Sequence, residues 1–192
     1  MSKVFDARWN FSLQQEYPLH SAATTGNWEL FQHLMKLGYG LTDLNDRGDA
    51  PLHCAASEGR LEIIQHVANL KIDKAVLNHL NSKGLTPLAV ACGEGQLECA
   101  IKLLKTKYCK VNQKYERSSA LHEAVASENV DCVELLISNG CNIDKLNEYG
   151  ETALHVAIRA VRITRMPDTL TLETIECIKL LVDAGTKINL IT

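Results

Sequence analysis

Apolar and polar positions along the chain repeat one pattern five times. A short run opens each unit: YPLHSAA (17–23), APLHCAA (50–56), TPLAVAC (86–92), SALHEAV (119–125) and TALHVAI (152–158). Its leucines, Leu19, Leu52, Leu88, Leu121 and Leu154, are spaced by 33, 36, 33 and 33 residues. A second run follows: NWELFQHLMKLG (27–38), RLEIIQHVANLK (60–71), QLECAIKLLKTK (96–107), NVDCVELLISNG (129–140) and TIECIKLLVDAG (174–185). Apolar residues recur in it at helical spacing. Turn-like stretches such as NDRGD (45–49), NSKGL (81–85) and NEYGE (147–151) lead into the next unit. Each unit is therefore predicted as helix, tight turn, helix and hairpin-like loop.

The residue types fit those elements. Pro18, Pro51 and Pro87 open the first helix, where a missing N–H costs nothing. Thr86, Ser119 and Thr152 precede it, where a hydroxyl can cap free N–H groups. Tyr17 and Ala50 stand there instead in the first two units, so those helix starts are expected to be weaker. Gly26, Gly59 and Gly95 suit the turn between helices, and Gly38, Gly140 and Gly185 the end of the second helix. Glu128 and Val161 interrupt the first of these series.

This register resembles the ankyrin repeat family, over residues 17–192. The resemblance implies an all-α repeat solenoid of five stacked ankyrin repeats, at about 17–49, 50–85, 86–118, 119–151 and 152–192. The second unit carries three extra residues near 72–81. The fifth carries an insertion near 162–173. Residues 1–16, with Phe5, Trp9, Phe11 and Leu13, are expected to form an N-terminal capping segment. The last helix reads like an internal unit, although a terminal repeat needs a polar outer face. Either it caps the stack itself, or further repeats or another domain follow.

Composition narrows the function classes. The 192 residues carry a net charge of -3 and are 46% hydrophobic. A mild negative charge argues against a general nucleic-acid binder. No apolar run approaches a membrane span, and the first residues hold no secretory signal. The seven cysteines include no C-x-x-C and fall mostly in apolar-periodic segments. They read as reduced, buried thiols of a cytoplasmic protein, with the nucleus as an alternative. A monomer is expected.

Two side-chain series invite a chemical reading. His20, His53, His122 and His155 share one position, with Ala89 at the fifth. Equivalent positions on stacked helices lie about 8–10 Å apart, too far to share a zinc ion. They are expected to be structural, bonded near their helix starts. Cys99, Cys132 and Cys177 share a second-helix position and read as small core residues. Cys109 and Cys141 lie in loops and are expected to be the more oxidation-sensitive thiols. Adjacent His53 and Cys54 diverge by about 100° around a helix, so no catalytic dyad is expected. No phosphate-binding loop, kinase set or H-E-x-x-H occurs. The chain is expected to be no enzyme, and to need no cofactor or metal.

In ankyrin proteins the hairpin tips and the exposed side of the first helix line a concave face, and the resemblance implies partner contact there. The candidate residues are Asp46, Arg47, Asp49, Glu58, Lys83, Glu94, Tyr115, Glu116, Glu148, Tyr149 and Arg159. Leu85 and Glu151 also map to the tips. Acids outnumber bases on this face, which favours a basic partner segment. Tyr115 and Tyr149, one repeat apart, are the expected hot spots. The leading expectation is a non-enzymatic interaction module (adaptor, scaffold or inhibitor) that binds a protein or extended peptide. The alternative is the N-terminal ankyrin domain of a larger enzyme, ubiquitin-ligase subunit or receptor. Asn112 and Asn189 are also similar to ankyrin asparagines that an oxygenase hydroxylates.

Overall fold

The computed structural model describes residues 17–70, 73–113, 117–163 and 171–186. The capping segment expected at 1–16 lies outside them, as do Tyr115, Glu116 and Asn189. Within the described residues the chain forms helix pairs in order. These are α1 (Pro18–Thr25) with α2 (Trp28–Lys36), and α3 (Pro51–Ser57) with α4 (Leu61–Asn69). Next come α5 (Pro87–Gly93) with α6 (Leu97–Leu104), and α7 (Ala120–Ala126) with α8 (Val130–Ser138). α9 (Ala153–Ile163) with α10 (Leu172–Asp183) is the last. No strand occurs among the described residues. The first helices pack in series, α1 on α3, α3 on α5, α5 on α7 and α7 on α9. α4, α6, α8 and α10 form a second row. The fold is the all-α repeat solenoid that the repeat pattern implies.

The core runs between the two rows. The five signature leucines are all buried in it. Ala22, Ala23, Ala55 and Ala56 are fully buried, and their small size lets α1 and α3 approach. Cys99, Cys132 and Cys177 fill the core slot expected of them.

The helix starts differ in detail from the simple capping picture. The Thr86 hydroxyl accepts from the Ala89 N–H at 3.2 Å. Ala50 has no hydroxyl, but its own N–H donates to His53 Nδ1 at 3.2 Å. The same bond forms at Ser119 and Thr152, which keep the hydroxyl, so it is common to these helix starts and does not stand in for the cap. At Tyr17 no side-chain cap bond forms.

The tight turn between paired helices needs a left-handed residue, and Gly26, Gly59 and Gly95 adopt φ of 76°, 65° and 68°. A Cβ there would also run into the next unit's Arg60, Gln96 or Asn129. Those side chains cross the gap and donate to carbonyls at the end of the preceding first helix. Arg60 Nε reaches Thr24 O at 2.7 Å, and Gln96 Nε2 reaches Ser57 O at 3.1 Å. Asn129 Nδ2 reaches Cys92 O and Gly93 O at 2.9 and 2.8 Å. Glu128 takes the fourth turn with φ 57°, the one positive φ outside glycine among the described residues. Its carboxylate reaches the other way and accepts from Thr171 Oγ1 at 2.9 Å and Thr174 Oγ1 at 2.5 Å.

Both extra segments become partly regular. The three-residue expansion forms a 3-10 turn over Lys74–Asn78, started by the Asp73 carboxylate. Asn78 then clamps the following unit: its amide donates to Tyr108 O at 2.8 Å and accepts from Lys110 N–H at 2.7 Å. The insertion expected at 162–173 is entered by helix at both ends. α9 continues to Ile163, and Thr171 caps α10 by accepting from Thr174 N–H at 3.0 Å. Residues 164–170 lie outside the described set.

Candidate functional site

Three of the hairpin tips are built on one recurring asparagine. Asn45 Oδ1 accepts from the N–H groups of Arg47 and Asp49. Asn81 Oδ1 does the same for Lys83 and Leu85, and Asn147 Oδ1 for Tyr149 and Glu151. Neighbouring tips are joined through the backbone, Ser82 N–H to Gly48 O at 2.9 Å and Glu148 N–H to Arg117 O at 2.8 Å. Side chains at the tips are thus carried on a fixed frame.

The histidine row ties that frame to the first helices. His53 Nε2 bonds Leu85 O at 3.0 Å, and His122 Nε2 bonds Glu151 O at 2.9 Å. His20 Nε2 lies 3.0 Å from Asp43 O and 2.9 Å from Asp49 O. Nδ1 of His53, His122 and His155 accepts a backbone N–H from its own helix start. In His53 and His122 a carbonyl on one side and an N–H on the other fit a neutral ring with its proton on Nε2. Burial, the largest cause, pushes His53 and His122 below the ordinary histidine pKa. They are struts, as the repeat position implied. Among the described residues no three His, Cys, Asp or Glu side chains come together as a metal site.

The cysteines differ: a hydrogen bond with Cys92 holds the Cys132 thiol below its ordinary value, while others are raised. Burial pushes the Cys54 and Cys141 thiols up to about 11. Cys109 and Cys141 pack against the core. For Cys141 this runs against the oxidation sensitivity expected of it, because the thiolate is the reactive form. His33 and His66 are exposed, and His66 stacks on Trp28 with centroids 4.2 Å apart.

The candidate contact residues fall into two groups around two open concavities, each of ≈ 390 Å³. Arg47, Asp49 and Glu58 line the first, with Asp46 on the adjoining tip. Lys83, Glu148, Tyr149 and Arg159 line the second. Glu94 is exposed at the end of α5 and lines neither. Tyr149 is 77% exposed, the wettest aromatic of the described surface. Leu85, expected at a tip, is buried: its side chain joins the core while its carbonyl meets His53.

Two residues missing from the sequence reading also line the second concavity, Arg117 and Glu123. Arg117 stands where Gly48, Gly84 and Gly150 stand in the other hairpins, and that substitution was its signal. Its stem crosses over Gly84.

Charge is not spread evenly over this face. In the second group the carboxylates have arginines: Arg159 binds Glu151 at 2.9 and 3.1 Å, and Arg117 lies 4.0 Å from Glu148. In the first group they do not. Asp46 accepts from Tyr17 OH at 2.6 Å and Asp49 from Asn81 Nδ2 at 2.7 Å, both neutral donors. Glu58 and Glu94 have no ion-pair partner among the described residues. The uncompensated negative charge sits over the first three helix pairs.

The family model for ankyrin repeats matches the chain in three copies, over residues 4–78, 70–147 and 110–192. The human ankyrin repeat and SOCS box protein 16 is 34% identical over 92 residues, 48% of this chain and 17% of that protein. Human protein phosphatase 1 regulatory subunit 27 is 51% identical over 39 residues, 20% of this chain and 25% of that protein. The mouse protein phosphatase 1 regulatory subunit 27 gives the same figures. The chain thus spans a quarter or less of the length of these relatives.

Proposed function

The chain belongs to the ankyrin repeat family, and from that premise we propose that it is a non-enzymatic module binding a polypeptide on its hairpin-tip face. Ankyrin repeats are protein-interaction modules. The observation that carries the finer reading is the uneven chemistry of that face. Uncompensated carboxylates over the first three pairs favour lysine or arginine in the partner. The exposed Tyr149, beside internally paired charges, favours an apolar or aromatic anchor. The tips carrying Asp46 and Tyr149 are three repeats apart, about 24–30 Å at 8–10 Å per repeat. An extended segment rises about 3.3 Å per residue, so roughly seven to nine residues bridge the two groups. The contact set is Asp46, Arg47, Asp49, Glu58, Lys83, Glu94, Glu148, Tyr149 and Arg159, with Arg117 and Glu123 added.

The role is that of an adaptor, scaffold or inhibitor in the cytoplasm or nucleus. The short match to a phosphatase regulatory subunit supports the regulatory variant. A second reading has one observation in its favour. The relative with a SOCS box in its name supports repeat units of this kind standing beside another domain. In that reading the chain is the ankyrin domain of a larger protein, and the full-length transcript decides it.

The test is affinity capture with the wild type, Tyr149→Ala and Glu58→Lys/Glu94→Lys, followed by titration of the captured partner. Each variant should weaken binding at least about tenfold, or about 1.4 kcal/mol, at unchanged stability. Binding that survives both variants removes the assignment of this face.

A further inference from the structure

Two of the buried cysteines come from neighbouring helix pairs and meet. The start of each second helix lies against the end of the preceding unit's first helix. Gln96 reaches back to Ser57 O, and Asn129 reaches back to Cys92 O and Gly93 O at 2.9 and 2.8 Å. In that register Cys99 falls opposite Ala56, Cys132 opposite Cys92 and Cys177 opposite Val125. Only the middle case sets thiol against thiol, and Cys92 and Cys132 are hydrogen-bonded to each other. The position of Cys92 is otherwise held by Ala23, Ala56 and Val125, all buried, and by Ile158, which is 44% exposed. Architecture alone therefore does not require a thiol there.

We propose that Cys92 and Cys132 are a redox modification site, a thiol pair that a small neutral hydroperoxide converts to a disulfide joining the third and fourth helix pairs. The two thiols are not equivalent. Cys132 stands in the first turn of α8, and the Cys92 hydrogen bond, the largest cause, holds its pKa below the ordinary thiol value while the same bond raises that of Cys92. Cys99 and Cys177, at the matching position without a thiol opposite, are pushed up by burial to about 11. The thiolate is the nucleophile, so Cys132 reacts first.

Access fits the same assignment. Cys132 is 1% exposed, but it forms part of the wall of an open concavity of ≈ 230 Å³. Glu128, Asp131 and Glu173 also line it. That acidic rim repels anionic oxidants such as glutathione disulfide and admits hydrogen peroxide, which is small and uncharged.

The chemistry balances in two steps. The Cys132 thiolate attacks one peroxide oxygen. An S–O bond forms, the O–O bond breaks, and the departing hydroxide takes a proton to become water. The sulfenic acid then condenses with the neighbouring thiol. The Cys92 sulfur attacks the Cys132 sulfur, the S–S bond forms, the S–O bond breaks, and the hydroxide leaves with the Cys92 proton as a second water. The two sulfurs together lose two electrons, and the peroxide is reduced to two waters.

The intact, fully reduced chain exposed to hydrogen peroxide tests this, with remaining thiols alkylated and peptides mapped by mass spectrometry. The first product should be the Cys92–Cys132 disulfide, with Cys99 still alkylated, and glutathione disulfide should form it more slowly. Cys92→Ser keeps a hydrogen-bond donor but cannot close the disulfide, so dimedone should capture a sulfenic acid on Cys132. Cys92→Ala, the residue that the first two units carry, should fold normally and slow that labelling several-fold. A disulfide that forms no faster in the folded chain than in urea overturns the proposal. So does labelling of Cys99 as fast as Cys132, or a first product that joins other cysteines.

Discussion

Glu128 offers the sharpest quantitative test of how the stack is held. It occupies a left-handed turn that glycine takes at positions 26, 59 and 95. For an L-residue that conformation costs about 1–2 kcal/mol. The carboxylate offsets this by accepting from Thr171 and Thr174 at the start of α10. A hydrogen bond to a charged group is worth about 1.5–3 kcal/mol, and exposure of this half-buried site reduces that to about 1 kcal/mol each. Glu128→Ala keeps the backbone cost and loses both bonds, so it should destabilise by about 2 kcal/mol. Glu128→Gly loses the same bonds but removes the backbone cost, so its net loss should be about 1 kcal/mol.

The expected order in urea denaturation is therefore wild type, then Glu128→Gly, then Glu128→Ala. A double-mutant cycle with Thr174→Val isolates the bond, because the valine should cost less once Glu128 is absent. If Glu128→Gly equals or exceeds the wild type, the carboxylate does not hold α10. If the glycine and alanine variants are equal, the backbone carries no strain.

Two further outcomes follow from burial. His53 and His122 are held below the ordinary histidine value, so they stay neutral in the fold and take up protons on unfolding. Stability from them is present above about pH 6.5 and is lost as the pH falls through the window between that value and their lower folded values, by up to about 1.4 kcal/mol per pH unit for each. Urea midpoints measured across that window should fall with pH, and a flat profile would contradict the buried, neutral rings. Val125→Ala should cost about 2 kcal/mol, while Ile158→Ala at the matching position should cost under about 0.5 kcal/mol in dilute solution. Thermal melts compare the two, and equal losses would mean that Ile158 is covered within one chain.

The repeat pattern was enough to place the helices because each unit restates the same constraints. Leu52, Pro51 and Gly59 have counterparts at fixed spacing, and packing leaves one arrangement that buries them all. Recurrence also explained His53 and Cys99 as architecture, since a residue type repeated at one position in four or three of the five units serves what the units share. Interruptions of the pattern were visible but not interpretable. Glu128 was legible as a break in a glycine series, yet its partners Thr171 and Thr174 lie more than 40 residues away beyond an insertion. Arg117 was hidden in the same way, as a non-glycine at a hairpin glycine position. Leu85 was misplaced because position along a hairpin does not say which way a side chain turns.

The charge of the candidate face shows why composition alone misleads about partners. By sequence, Glu151 and Glu58 count equally. In the fold Glu151 is held by Arg159 through two contacts, and Glu58 has no ion-pair partner among the described residues. A paired carboxylate has already exchanged water for a guanidinium and has little to gain from a partner's lysine, whereas Glu58 still has its full Coulomb attraction to offer. The asparagine frame of the tips adds to this difference. Because Asn45, Asn81 and Asn147 fix the backbone before any partner arrives, ordering these loops costs little on binding. Under the proposed function, the unpaired acids over the first pairs would govern encounter with a basic segment, and the rigid tip that carries Tyr149 would govern how long the segment stays.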